Sequence, residues 1–314
     1  DFNSTSYSLC GGVTYGSLAA SIFDPSGNYA IVSKVGEDFD RSFLDIFKHH
    51  PVDLSGIKIT KGSSTRFTLN YHNGIRVLRS GGRAEKFGIE DLSESLFNAK
   101  AIHFTPIADE YTEEFICGLL EHGQTKNTLF GLDIQGLIRG FNDDGTIYIK
   151  KDSETRDRIL KIMRKFGDRL FFKGSEQENC AVAGTDDCVK ATEFLAKTGC
   201  RILTTLGPNG LLYNFQNQDL MYLPAYTPKK VIDETGAGDC FMATLMIQLG
   251  KKYSEENHLG SIEYELKVAS AASSFLVEEK GPSGFQSKEA VVKRVAENKT
   301  NLALQICDCV PSKK

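Results

Sequence analysis

Nine residues, Val231-Ile232-Asp233-Glu234-Thr235-Gly236-Ala237-Gly238-Asp239, set three small residues and a carboxylate directly before an apolar stretch of helical length. That stretch, Cys240 to Leu249, ends at Gly250. A turn of this kind opening a helix leaves backbone N–H groups without acceptors, and those groups attract anions. The backbone N–H groups of Gly236, Ala237 and Gly238 are therefore candidates to stabilise charge on a phosphate and its bridging oxygen. An aspartate at the same place would repel a bound anion. It has a use if it takes a proton from a group attacking a phosphate, which is the role read for Asp239. An ordinary Asp titrates near ~3.9 and is a weak base at neutral pH. In a loose phosphoryl-transfer transition state the attacking hydroxyl becomes acidic only as the P–O bond forms, so positioning outweighs basicity. The competing reading is a tight strand-to-helix turn with an ordinary acidic residue.

Other polar groups follow apolar, strand-like runs. Thr205-Leu206-Gly207-Pro208-Asn209-Gly210 is a turn by composition, and beside the first motif Thr205, Gly207 and Gly210 are candidate contacts to a nucleotide. Lys173-Gly174-Ser175-Glu176-Gln177-Glu178 ends in a carboxylate that could hold Mg²⁺ through water, or simply start a helix. Gln135 could bond a polyol and Arg139 a phosphate; a helix cap with a surface Arg is the alternative. Gly11-Gly12 offers bare backbone to a substrate, or a simple turn. Arg66, Arg76, Arg79 and Arg83 read as solvated, or as partners of an anionic substrate. Phe67, Tyr71 and Phe104 could stack a base or pack between strands.

The elements that must position these groups alternate. Apolar runs at 29–35, 128–134, 170–172, 201–206, 211–215 and 220–223 predict strands. Between them lie a helix capped by Asp38 and stopped by Pro51, one capped by Asp109, one over 185–199, the helix after Asp239, and a last one carrying Leu266 to Leu276. Such alternation predicts an α/β fold, a mostly parallel, doubly wound sheet flanked by helices. Ligands then bind beyond the C-terminal strand ends, where Gly36, Gln135, Glu178, Gly207 and Asp239 fall. Residues 57–83 break the pattern: alternating segments flank Asn73-Gly74, a strong hairpin signal. The expected organisation is a core of residues 11–56 and 84–310 with a small β-sheet lid of residues 3–10 and 57–83.

Composition bounds the function. The chain has 314 residues, 25% charged and 40% hydrophobic, with a formal net charge of −4. The whole-molecule field argues against nucleic acid as a partner. No apolar run approaches the ~20 residues of a membrane-spanning helix. The first residues lack the pattern of a signal peptide, and the absence of an initiator Met leaves room for a leading segment. Eight cysteines without a Cys-x-x-Cys pair read as reduced, packed thiols, which predicts a cytoplasmic protein. The chain contains neither a P-loop nor a Gly-x-Gly-x-x-Gly after an early strand, which excludes those nucleotide folds.

Asp233 through Asp239 followed by Cys240-Phe241 resembles the ribokinase-like sugar kinases, the phosphofructokinase-B family. Gly11-Gly12, Val35-Gly36-Glu37-Asp38, Glu176 with Glu178, Thr205-Leu206-Gly207 with Gly210, and Ala271-Ala272 leading to Gly281 support the resemblance, which covers nearly the whole chain. It implies an ATP-dependent kinase acting on a hydroxyl of a sugar, polyol or nucleoside. It also implies Asp239 as base, Gly236, Ala237 and Gly238 as anion hole, and nucleotide contacts at Thr205, Gly207 and Gly210. Mg²⁺ is implied at Glu178, and a monovalent cation such as K⁺ near Asp233 and Gly281-Pro282-Ser283-Gly284. Val32 to Phe39 and Asp133 to Arg139 look most like myo-inositol kinases, which makes myo-inositol the leading acceptor, with a nucleoside kinase or a catalytically silent scaffold as alternatives. A homodimer through the lid is a further expectation. Three positions depart from the family: Gly16 and Ser175 stand where many members carry Asn, and the first strand, with its substrate-binding Asp, is not evident before Ser6.

Overall fold

The computed structural model describes residues 9–72, 75–122, 125, 127–215, 218–256 and 258–301, with side chains for all of these but 69–72, 75–77 and 95. Twelve strands among the described residues are β1 (Tyr29–Gly36), β2 (Val52–Thr60), β3 (Arg66–His72), β4 (Ile75–Gly82), β5 (Ala101–Phe104), β6 (Leu129–Asp133), β7 (Arg139–Phe141), β8 (Ile147–Ile149), β9 (Leu170–Ser175), β10 (Arg201–Thr205), β11 (Leu211–Asn214) and β12 (Met221–Leu223). Nine α-helices among the described residues are α1 (Gly12–Phe23), α2 (Glu94–Phe97), α3 (Glu113–Glu121), α4 (Ser153–Phe166), α5 (Glu176–Ala183), α6 (Cys188–Ala196), α7 (Ala237–Glu256), α8 (Glu263–Leu276) and α9 (Lys288–Glu297).

The central sheet has the order β12-β11-β10-β9-β6-β5. β5, β6, β9 and β10 run parallel, β11 pairs antiparallel with β10, and β12 antiparallel with β11. Successive side chains of a strand point to opposite faces, and here both faces are apolar. Phe130, Leu132, Leu170, Phe172 and Ile202 enter a core with Ile116 and Leu119 of α3, Ile159 and Met163 of α4, and Leu195 of α6. Their neighbours Leu129, Phe171 and Leu203 enter a second core with Phe241, Met242 and Leu245 of α7 and Leu266 of α8. This two-faced burial is why the strands read as unbroken apolar runs, and it is the expected doubly wound architecture.

β1 departs from expectation. It pairs in parallel with β2 in a two-stranded sheet of its own. A cavity of about 730 Å³ separates it from β5, lined by Ile31, Val32, Ala101, His103 and, from the flanking helices, Gly16 and Met246. The expected lid boundary at residue 57 falls inside β2, which is continuous from Val52 to Thr60. β3 and β4 do form a separate antiparallel ribbon, with Thr68 opposite Arg79 and Leu69 opposite Leu78. It rests on the β7–β8 hairpin: Arg79 bridges Thr146, and Ser80 N donates to Gly145 O at 2.9 Å. The Asn73-Gly74 turn, residues 3–8 of the expected lid and residues 302–310 of the expected core lie outside the described residues.

Two helix starts differ from the sequence reading. Asp38 caps no helix; its carboxylate accepts from Ser64 N at 2.7 Å and pairs with Arg66. The segment after it is a 3-10 helix, Arg41–Phe47, capped by Asp40. Asp109, at φ 61°, pairs with Lys86 and Arg158, and Thr112 caps α3 instead. In both cases a nearer Asp or Thr offers the cap with the extended backbone that position requires. α4 escaped the sequence reading, although Asp152 caps it and it carries a buried apolar face.

Candidate active site

The parallel register brings polar strand ends together. Asp133 of β6 lies opposite Lys173 of β9, and Ser175 of β9 opposite Thr205 of β10. The Lys173 ammonium ion-pairs with Asp133 Oδ1, and His103 Nε2 of β5 lies 2.9 Å from Asp133 Oδ2. Asp133 is 2% exposed and Lys173 8%. A carboxylate so buried persists only when paired and hydrogen-bonded. The cation beside it holds Asp133 below the usual carboxylate range, against the opposing pull of burial, and the Asp133 charge raises Lys173 in turn. Sequence reasoning missed His103, Asp133 and Lys173 as a group. Their signal was present: each is the one polar residue near the C-terminal end of an apolar strand, Ala-Ile-His-Phe, Leu-Phe-Gly-Leu-Asp and Leu-Phe-Phe-Lys.

The second component is the turn into α7. Gly236 has φ +81°, a region that favours glycine, and any Cβ there would strike the Tyr15 ring of α1. Cys240 N donates to Gly236 O at 2.8 Å, which closes the first helical turn. Asp239 lies in that turn and Cys240 to Leu245 are buried behind it. Ala237 N donates to Glu234 O at 3.2 Å, so one of the three expected anion-hole donors is already engaged. Helix geometry leaves Gly238 N–H and Asp239 N–H without intrahelical acceptors. The turn lies against the strand-end cluster: a Cβ on Gly238 would sit 2.8 Å from Lys173 Nζ. Burial first, and then the Asp133 charge, push Asp239 up to about 6, while Lys173, His103 and Arg139 pull it down. Asp239 is half-buried as a residue.

Asp233 ties the turn to the segment after α8. Its carboxylate accepts from Thr235 N at 2.9 Å and from Gly281 N at 3.3 Å. The backbone N–H groups of Ile232 and Asp233 both donate to Val277 O.

The remaining candidates occupy the same end of the sheet. Thr205 closes β10 and leads into a 3-10 turn, Gly207–Asn209, where Gly207 and Gly210 have φ +58° and +101°. Glu178 and Ser175 form a capping box on α5: Ser175 N donates to Glu178 Oε2 at 2.8 Å, and Glu178 N to Ser175 Oγ at 3.4 Å. Gln135 and Arg139 bond each other, Arg139 Nη2 donating to Gln135 Oε1 at 2.9 Å, while Nη1 donates to Ile107 O. Phe67 of β3 lies over the Arg139 guanidinium at 5.6 Å. Gly11, at φ +94°, opens α1, and Gly12 packs so closely on Thr105 that no side chain fits.

Phe104 is not available to stack a ligand base. It is 3% exposed and stacks on Phe130 at 6.1 Å in the core. The side chain of Tyr71 lies outside the described residues, as does that of Arg76. Arg66 pairs with Asp38, Arg79 with Asp144, and Arg83 lies over Phe141. Among the described residues no group of three or more His, Cys, Asp or Glu could hold a metal ion, and no helix is long and apolar enough to cross a membrane.

Residues 150–289 match the model of the pfkB family of carbohydrate kinases. A cytidine kinase of Thermococcus kodakarensis is 26% identical over 235 residues, 74% of this chain and 77% of that protein. The fold is shared with a ribokinase of Arabidopsis thaliana solved with ribose and ATP, at 18% identity and a TM-score of 0.71, covering 93% of this chain and 89% of the other. It is also shared with a pyrophosphate-dependent kinase of the ribokinase family solved with a pyrophosphate analogue and myo-inositol, at 20% identity and a TM-score of 0.69, covering 90% and 92%. The matched residues include the Asp239 turn, so the part of the chain that carries the turn is similar to the pfkB carbohydrate kinases, and the fold around it is ribokinase-like.

Proposed function

We propose that the protein transfers the γ-phosphoryl group of ATP to a hydroxyl of a sugar or cyclic polyol, with myo-inositol as the leading acceptor. The observation that carries this reading is the placement of Asp239: a half-buried carboxylate in the first turn of α7, behind a positive-φ glycine and beside the strand-end charges. In the proposed reaction the acceptor oxygen attacks the γ-phosphorus, its proton passes to an Asp239 oxygen, and the bond to the ADP oxygen breaks. The N–H groups of Gly236 and Gly238 and the start of α7 stabilise the charge on the transferred group; Ala237 contributes through the turn it shapes. Thr205, Gly207 and Gly210 hold the nucleotide at the end of β10.

Gly11, Gly12, Gln135 and Arg139 hold the acceptor. Arg139 is steadied by Gln135, Ile107 O and the Phe67 ring. That contact supports the β3–β4 ribbon as a lid, and a lid that covers the acceptor side is also where a second copy of the chain would pair. Glu178 suits Mg²⁺: it is an oxygen donor beside the nucleotide strand end, and Mg²⁺ keeps its waters and reaches a protein through one or two carboxylates. When bound, the ion offsets charge on the β- and γ-phosphates. Asp233 and the Gly281–Gly284 turn would hold K⁺. The six cysteines of the described residues are all free thiols, which fits a reducing, cytoplasmic setting.

A nucleoside acceptor is the second reading, favoured by the cytidine kinase relative. Burial of Phe104 in the core favours a polyol over a stacked base. The test is turnover with Mg²⁺ on a panel of myo-inositol, ribose, fructose and cytidine, with ATP or pyrophosphate as donor. Turnover of myo-inositol with ATP is expected. Preference for cytidine installs the second reading, and no turnover of any acceptor supports a silent scaffold. Asp239→Asn is expected to lower kcat by ~10²–10⁴-fold with ATP affinity kept; unchanged kcat removes Asp239 as base.

A further inference from the structure

Lys173 belongs to none of the roles above, and among the described residues of the site it is the buried ammonium group. Its ion pair with Asp133, its 8% exposure and its approach to Gly238 place it between the strand ends and the helix turn. Two carboxylates, Asp133 and Asp239, face this one cation. The other charged or titratable groups around them include Tyr15 of α1, His103 of β5, Arg139 of β7, Glu178 of α5 and the buried Cys240 thiol of α7. Tyr15 raises no competing positive charge, and its own ionisation is pushed up by burial. His103 is committed to Asp133, and Arg139 to Gln135 and Ile107 O.

Resting on the reading of Asp239 as base, we propose that Lys173 is a positioning residue that balances the Asp133 charge, so that Asp239 stays an anion able to accept the hydroxyl proton. The physical argument is like-charge repulsion in a poorly solvated place. Of two carboxylates sharing a site, one is held protonated to higher pH unless a cation offsets the repulsion. The β6–β9 register fixes Lys173 on Asp133, and the close approach of Lys173 to Gly238 carries the same cation to the mouth of α7. The Asp133 charge raises Asp239 and the Lys173 charge opposes it.

The test is the pH dependence of kcat in three proteins. Lys173→Met keeps an unbranched side chain one atom shorter and removes its charge. Its acid limb is expected to move up by one pH unit or more, with kcat at pH 7 down about tenfold or more and KM for ATP changed less than threefold. In the double variant Lys173→Met with Asp133→Asn both charges are gone, and the acid limb is expected to return to within about half a unit of the unmutated protein. A packing role would not produce that return.

An acid limb that stays in place in Lys173→Met, with only the melting temperature lowered, overturns the proposal. So does a double variant no better than the single one. Should Lys173→Met fail to fold, ¹³C-carboxyl titration of the unmutated protein decides: Asp133 must be ionised throughout the range in which Asp239 takes up its proton. Full turnover in Asp239→Asn removes the base reading itself, whatever Lys173 does, so the two failures are told apart.

Discussion

At the scale of single residues, Asp239 is a compromise between burial and service. Desolvation and the Asp133 charge lift it to about 6, whereas an exposed Asp stays near ~3.9. Only the ionised form accepts a proton, so kcat should be flat above pH 7 and fall close to tenfold per unit below about pH 6. A steady-state pH profile measures this; a limb at pH 4 would show a solvated carboxylate. The same shift has a cost to the fold. A carboxylate whose folded value is raised favours the native state below its unfolded value, and that stability is lost as pH rises through about 6. Asp239→Asn, which removes the buried charge, should therefore raise the melting temperature at pH 7.5 by about 2 °C or more and change it little at pH 4. Asp133 works in the opposite window. Its value is lowered, so its contribution is present above the usual carboxylate range and lost as pH falls through the depressed value.

At the scale of elements, the decisive unit is the turn that joins Asp233 to α7 and leans on Tyr15. Gly236 holds φ +81° and has the Tyr15 ring where a side chain would begin. Gly236→Ala should cost ~1–3 kcal/mol from backbone strain alone, with a further loss from the steric conflict. Thermal or urea denaturation measures the total. Adding Tyr15→Ala removes the conflict but not the strain, so the double variant should be more stable than the sum of the two single losses. Additive losses would show that the ring does not shape the turn. The α5 capping box is a second shared element. Glu178 is engaged through Oε2 with Ser175 N, so any metal role falls to its remaining oxygen. The helix start and the proposed Mg²⁺ position thus use one carboxylate, which explains why sequence alone could not separate the two readings.

At the scale of the molecule, one end of the central sheet collects the chemistry while both faces collect the core. In the proposed reading the nucleotide lies over β9 and β10 and the acceptor over β5 and β6, with the α7 mouth between. A ligand bound only by this assembled end stabilises the whole fold by mass action. ATP with Mg²⁺ at about 100 times its dissociation constant should add ~2.7 kcal/mol to unfolding. The increment should persist in Asp239→Asn, where chemistry stops but the nucleotide site remains, and should fall when Mg²⁺ is chelated. A melting temperature indifferent to ATP would separate this fold from nucleotide binding. The β3–β4 ribbon meets this end through Arg139 over the Phe67 ring and through the bridge between Arg79 and Thr146.

The amino-acid order alone determined what depends on near neighbours. The small-residue turn, the carboxylate one step inside a helix, the apolar strand runs and the polar strand ends are all local, and the alternation of strands and helices named the fold class. Tertiary structure decided the rest. His103, Asp133 and Lys173 stand 30 and 40 residues apart, and only parallel pairing of β5, β6 and β9 makes them one charge cluster. A lone polar residue at the end of an apolar run has the same sequence appearance whether it meets water or a buried partner. The separation of β1 from β5 was likewise invisible, because a strand's sequence records which of its faces are buried and not which edge it pairs with.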